Sequence, residues 1–202
     1  MNKRKLQAIE TKKKLYEAAR RLAHEYGFEN VSVDAIVEAA GVSKGAFYVH
    51  FESKDALAAE LVNEYTKYAD FNYKAFLSTV SEEASVLEVL ALLGRKISTF
   101  LSESIGYENM RVLYRAYLTK SAFNTMPAIS YNRELYRLLS EVLEKGIRKD
   151  ELREDIPVED LAKHLIMAIR GIAFEWCIRY PDFDLERQIS DHFKILLYGL
   201  RK

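Results

Sequence analysis

Apolar residues recur every three or four positions along almost the whole chain, so the pattern predicts helices and no stretch reads as a sheet. Three prolines and eight glycines leave long uninterrupted segments. Leu15, Ala18, Ala19, Leu22 and Tyr26 make one stripe of a first helix running from near Ile9 to Tyr26. Ser53 precedes a long fourth helix, in which Leu57, Leu61, Tyr65, Tyr68, Tyr73 and Phe76 fall at helical spacing. Ser85 with Glu88 has the form of a capping box for a fifth helix reaching about Ser104. Gly106 interrupts the pattern, and a sixth helix follows from Glu108 to about Lys120. Pro127 suits the first turn of a seventh helix ending near Lys149, and Pro157 that of an eighth ending near Tyr180. A ninth, introduced by Pro181 and Asp184, closes near Leu200. The expected fold is all-α, with about nine helices.

Between the first and fourth helices the pattern changes scale. In Ser32–Phe51 (S-V-D-A-I-V-E-A-A-G-V-S-K-G-A-F-Y-V-H-F), Ser32 can cap one short helix and Ser43 a second. Gly41 supplies the left-handed residue on which a helix turns out of itself. Two short helices joined through Gly are the layout of a helix-turn-helix, whose second helix enters the DNA major groove.

The flanks extend the pattern: A-A-R-R-L-A-H-E-Y-G-F before it, from Ala18, and E-S-K-D-A-L behind it, to Leu57. On these residues the chain resembles the TetR family of bacterial transcription regulators, ungapped from Leu15 to Leu57. A looser likeness continues in G-I-R-K-D-E-L-R-E-D-I-P-V-E-D-L-A, from Gly146 to Ala162. The resemblance implies a helix-turn-helix DNA-binding domain over residues 1–52 and a helical effector-binding and dimerisation domain over 53–202. It also implies a repressor that binds a palindromic operator as a dimer and is released by a small molecule.

Within the helix-turn-helix, Lys44 can reach a guanine edge or a phosphate, and Gly45 lets backbone approach DNA. Phe47 offers a face to a thymine methyl, and Tyr48 and His50 can donate to phosphate oxygens. Ser32 and Ser43 can add phosphate bonds to their capping role, and Lys54 reads as a phosphate clamp. Ala46, Val49 and Phe51 are expected to pack inward. Farther on, Leu161, Leu165, Ile169, Ile172 and Trp176 share one face of the eighth helix, and Ile166, Met167, Arg170, Phe174 and Cys177 roughly the opposite one. A helix apolar on two sides must bury both, which suits a core on one side and a second subunit on the other. The ninth helix adds a stripe of Leu185, Ile189, Phe193, Leu196 and Leu200, with Ile195 and Tyr198 away from it. The family's dimers pair these last two helices. Candidate effector contacts are Tyr65, Tyr68, Met110, Tyr114, Tyr117, Arg170, Phe174 and Cys177, aromatic and apolar walls with a few polar groups. The same stripes also read as plain core, and Arg170 can serve an anionic ligand or an acidic residue of its own chain.

Composition narrows the classes. The 202 residues are 49% hydrophobic and 30% charged, with zero formal net charge. Residues 1–21 nevertheless carry eight Lys and Arg against Glu10 and Glu17, a local +6 that suits phosphate attraction. A single cysteine, Cys177, excludes an internal disulfide and a multi-Cys metal site. With no signal-peptide core and no membrane-length apolar run, a cytoplasmic protein is expected. There is no dinucleotide or P-loop glycine pattern and no H-E-x-x-H, and His24, His50, His164 and His192 are scattered. No enzyme, metal or cofactor is implied. Two other classes stay open: a constitutive or partner-recruiting DNA-binding regulator without an effector, and a ligand carrier that has lost DNA binding.

Overall fold

The structure, a computed structural model, describes residues 3–118 and 130–201, excluding the side chains of Lys3 and of residues 115–118. The described residues form nine α-helices: α1 Lys3–Tyr26, α2 Val33–Ala40, α3 Lys44–His50, α4 Lys54–Ser78, α5 Val86–Thr99, α6 Tyr107–Leu118, α7 Glu134–Arg148, α8 Val158–Arg179 and α9 Leu185–Leu200. A 3₁₀ turn covers Phe28–Asn30, and a π-helical stretch, Phe100–Ile105, continues α5. The expected helix to Ser104 therefore changes hydrogen-bond register after Thr99. The first helix begins earlier than expected, at Lys3, and the seventh later, at Glu134. Pro127, expected to open the seventh, and Lys120, expected to end the sixth, lie outside the described residues.

Packing divides the chain into two units. In the first, with the described residues up to Glu64 and from Glu108 through α6, the core is Leu15, Ala18 and Ala19 of α1, Ile36 and Val37 of α2, and Phe47 and Phe51, closed by Leu57, Leu61 and Val112. Both short helices are capped as expected: Ser32 Oγ accepts from the Ala35 N–H at 3.0 Å and Ser43 Oγ from the Ala46 N–H at 3.1 Å. Gly41, at φ 65° and ψ 37°, takes the left-handed position that ends α2.

In the second unit, the remaining part of α4, from Tyr65, is grouped with α5, α7, α8 and α9; α5 packs on α9 and α7, and α7 on α8. The turn after α7 clasps the start of α5. Glu151 accepts from Ser85 Oγ at 2.9 Å and from the Val86 N–H at 2.7 Å. Ser85 makes no side-chain bond to its own helix, so the capping box with Glu88 is replaced by a carboxylate brought from Glu151. Lys149 Nζ donates to the carbonyls of Glu82 and Ala84. Gly146 is required by closeness: a Cβ there would lie 2.5 Å from Leu152 Cδ1 and 2.9 Å from Val86 Cγ1. This clasp is the physical content of the G-I-R-K-D-E-L stretch.

A second long-range bond links α4 to the start of α7. Arg133 Nε donates to both Asp70 oxygens at 3.0 Å and Arg133 Nη2 to Oδ1 at 2.7 Å. The pair is largely buried, and breaking it from one side leaves an uncompensated charge.

Removing the borrowed cap should register as a helix-cap loss. Glu151→Ala is expected to cost about 0.5–2 kcal/mol in denaturant unfolding, with Glu151→Gln intermediate because an amide oxygen still accepts. Gly146→Ala is expected to cost about 1–3 kcal/mol through overpacking against Leu152.

Candidate nucleic-acid interface

The chemistry of the first unit depends on how seven residues of α3 divide between inside and outside. Phe47 is fully buried and stacks edge-on with Tyr48 and obliquely with Phe51. It is the anchor of the helix and cannot touch a thymine methyl, so that expectation is corrected. Val49, expected inside, is 80% exposed. Phe51 is buried as expected, and Ala46 is half-buried. Lys44, Gly45, Tyr48 and Val49 thus form the outward surface, with His50 half-buried at its end. An added Cβ at Gly45 would meet only Ser43 Oγ, at 3.8 Å, so the backbone there is open to close approach.

Lys44 leaves α3 to pair with Asp34 of α2, Nζ to Oδ1 2.8 Å. The hydrogen bond to Asp34 and its charge push the Lys44 ammonium above its ordinary range. Both groups are exposed, so the pair holds the lysine in place without locking it. Ser32 and Ser43 are exposed at their caps, each hydroxyl oxygen already accepting from a helix amide.

Lys54 departs from the expected phosphate clamp. Its Nζ donates to the carbonyls of Phe28 at 3.0 Å, Glu29 at 3.1 Å and Val31 at 2.9 Å, and stands 5.1 Å from the centre of the Phe28 ring. Three ammonium protons meet three carbonyls, so Lys54 ties the turn between α1 and α2 to the start of α4. Lys12 plays a related part that the sequence pattern did not reveal. It pairs with Glu60 of α4 at 2.7 Å beside the Phe51 ring, and Tyr16 donates to the same carboxylate. Burial pushes the Glu60 carboxyl up, but the bonds from Lys12 and Tyr16 outweigh it and hold it below the usual range. Tyr16 is pushed well up, by burial first and then by Glu60.

The expected effector contacts are not gathered in one unit. Met110 and Tyr114 belong to the first, and Tyr65, Tyr68, Arg170, Phe174 and Cys177 to the second; the side chain of Tyr117 lies outside the described residues. Met110 is buried, and Tyr65, Tyr114, Arg170 and Cys177 are half-buried. Tyr68 and Phe174 face outward, which removes them from the interior. On α4 the buried stripe runs through Ala69, Asp70 and Tyr73, because the bond to Arg133 makes Asp70 an inward residue. On α8 the outward stripe is Met167, Gly171, Phe174 and Ile178, whereas Ile166 is buried and Arg170 stands 5.9 Å from the centre of the Tyr136 ring.

Residues 15–61 match the sequence model described as bacterial regulatory proteins, tetR family. Over 201 residues the chain is 25% identical to the HTH-type transcriptional regulator AcrR of Shigella flexneri, covering 96% of this chain and 91% of that one. It is 26% identical over 188 residues to the fatty acid metabolism regulator protein of Bacillus subtilis, covering 92% and 93%. Among solved structures, FadR from Bacillus subtilis in complex with stearoyl-CoA superposes with a TM-score of 0.73 at 19% identity, over 93% of this chain and 98% of that one.

Substitution separates an anchor from a clamp. Lys54→Met should lower stability by about 1–3 kcal/mol, as expected for lost bonds from a charged donor, and leave the salt dependence of DNA binding by the folded protein unchanged. Phe47→Ala should cost about 3–5 kcal/mol. A change of salt slope with unaltered stability in Lys54→Met would restore the phosphate role.

Proposed function

The chain belongs to the tetR family of bacterial regulatory proteins and is a DNA-binding transcriptional regulator, and from that premise we propose that it is a homodimeric repressor released from a near-palindromic operator by a small molecule. The observation that carries this is the outward surface of α3, where Lys44, Gly45, Tyr48 and Val49 are exposed on a helix anchored by Phe47. Lys44 exchanges Asp34 for a guanine edge or phosphate, and Tyr48 donates to phosphate. Val49, in place of Phe47, supplies the apolar contact to a thymine methyl. His50, Ser32 and Ser43 border the same surface and add phosphate contacts. The exposed basic residues of α1, from Arg4 to Lys14, add long-range attraction for the duplex.

A seven-residue reading helix supplies few base contacts, and a dimer doubles them. The outward stripe of α8 supports this: Met167, Gly171, Phe174 and Ile178 repeat at helical spacing, and Ile195, Tyr198 and Gly199 are exposed on α9. An added Cβ at Gly171 or Gly199 would meet nothing within 4 Å, which leaves room for a second helix to approach. We assign α8 and α9 as the isologous interface. Release by a small molecule is supported by the stearoyl-CoA complex of the Bacillus subtilis regulator and by the relatives named repressors, such as KstR2 of Rhodococcus jostii. The continuous α4 is the natural conveyor of that signal. No described helix is long and apolar enough to cross a membrane, in keeping with action on DNA in the cytoplasm.

The test is binding to a pool of genomic fragments at several salt concentrations, with bound sites sequenced. A near-palindromic site is expected, and Lys44→Ala or Tyr48→Ala should weaken it by about 1–3 kcal/mol and reduce the salt slope by about one. Binding without sequence preference, or unaffected by either change, would overturn the proposal. Phe174→Glu with Ile178→Glu should yield a folded monomer in sedimentation and lose operator binding; a dimer that persists would exclude α8 as the interface.

A further inference from the structure

Glycine in the middle of a helix weakens it relative to alanine, so a helical glycine needs a compensating gain. In α5 and α7 the gain lies within the protomer. A Cβ at Gly94 would stand 2.9 Å from the Phe193 ring, and one at Gly146 2.5 Å from Leu152 Cδ1. Gly171 is different. It is the fourteenth of the 22 residues of α8, faces outward, and an added Cβ there would meet no described atom within 4 Å. Nothing inside the protomer offsets its cost, which points to a surface outside it.

Gly171 also centres the exposed stripe of α8. His164 and Met167 lie seven and four residues before it, Phe174 and Ile178 three and seven after it, all exposed. This alternation of three and four is the spacing of helices that pack nearly in line. The stripe has nearly the same spacing in either direction from Gly171, so it is complementary to an antiparallel copy of itself. The charges beside it are paired within the protomer, Lys163 with Asp160 at 2.9 Å and Arg179 with Glu175. Met167, Gly171 and Phe174 are left as an uncharged centre between paired rims.

Resting on the homodimer reading above, we infer that α8 crosses α8 of the partner subunit at Gly171, antiparallel, with the two-fold axis passing between the two glycines. At an interaxial distance of about 8–10 Å and a Cα radius of about 2.3 Å, the facing Cα atoms come within about 3.5–5.5 Å. The helical rise then places Met167 against Phe174 of the partner subunit, thioether on ring, and sets His164 beside Ile178 of the partner subunit. A side chain at position 171 would hold the backbones apart and separate both pairs. The contact therefore selects a second copy of this chain, which supplies the matching glycine.

The test is disulfide cross-linking of the full chain under mild oxidation, in a Cys177→Ser background. Gly171→Cys should form a covalent dimer, and Met167→Cys combined with Phe174→Cys likewise. Two copies of Ile178→Cys would lie about 21 Å apart along the helices and should cross-link at least tenfold more slowly. Gly171→Leu should keep wild-type helicity by circular dichroism and weaken dimerisation at least tenfold in sedimentation. Gly171→Cys cross-linking no faster than Ile178→Cys, or Gly171→Leu dimerising as tightly as the wild type, would overturn the inference. Sedimentation of the wild type separates the two readings. A dimer that fails these tests removes only the crossing at Gly171, whereas a monomer removes the homodimer itself.

Discussion

Burial of Phe47 is the constraint on which the DNA-facing surface depends. A helix of seven residues is far below the length that persists in water, so α3 exists only as a tenant of the core beneath it. Phe47, in contact with Phe51, fixes its rotation, and the Ser43 cap fixes its start. Rotation by one residue, with Tyr48 taking the place of Phe47, would turn Lys44 and Tyr48 away from the surface. The two ties that flank the helix, Lys54 to three carbonyls and Lys12 to Glu60, hold the floor on which Phe47 rests. Cations that would be natural phosphate ligands elsewhere are used here to keep the frame rigid.

The helix-turn-helix was legible from sequence because its signals are local: a cap, a left-handed glycine, a second cap. Which residues of α3 face inward was not legible. Fewer than two turns give too short a sample of the 3.6-residue period to choose between Phe47 and Val49, and the choice falls to volume. The pocket among α1, α2 and α4 takes the larger ring. Lys54 shows the complementary limit, since a lysine at a helix start has the same sequence appearance whether its partners are phosphates or carbonyls.

In the second unit the helices followed from periodicity, and the outward positions of Ile195 and Tyr198 were readable in the same way. What escaped were pairings across long sequence separations. Glu151 caps a helix that begins 65 residues earlier, and Asp70 is buried only because Arg133, 63 residues on, accompanies it. A periodic reading treats an aspartate as a surface residue and shifts the whole stripe around it, which is how Tyr68 came to be placed inside. The outward stripe of α8 was similarly blurred because Gly171 contributes position without hydrophobicity, and Ile178 completes the spacing one turn beyond Phe174.

The geometry of α8 bears on how strongly a ligand can act. Arg170 lies three residues after Met167 and four before Phe174, so one helix carries both the cation over Tyr136 and the apolar stripe assigned to the second subunit. A ligand drawing on Arg170 would therefore work on the helix proposed above as the dimer interface. Moving a regulator from almost wholly bound to almost wholly free requires a differential affinity of about 10⁴, or about 5.5 kcal/mol. A symmetric dimer divides that requirement between two equal sites, about 100-fold each, which lies within the typical coupling of about 5–150-fold between linked sites. One ligand per dimer would have to supply the whole difference from a single charged contact and its apolar surroundings. Two ligands need only what one buried hydrogen bond to a charged group, together with modest repacking, can provide at each site.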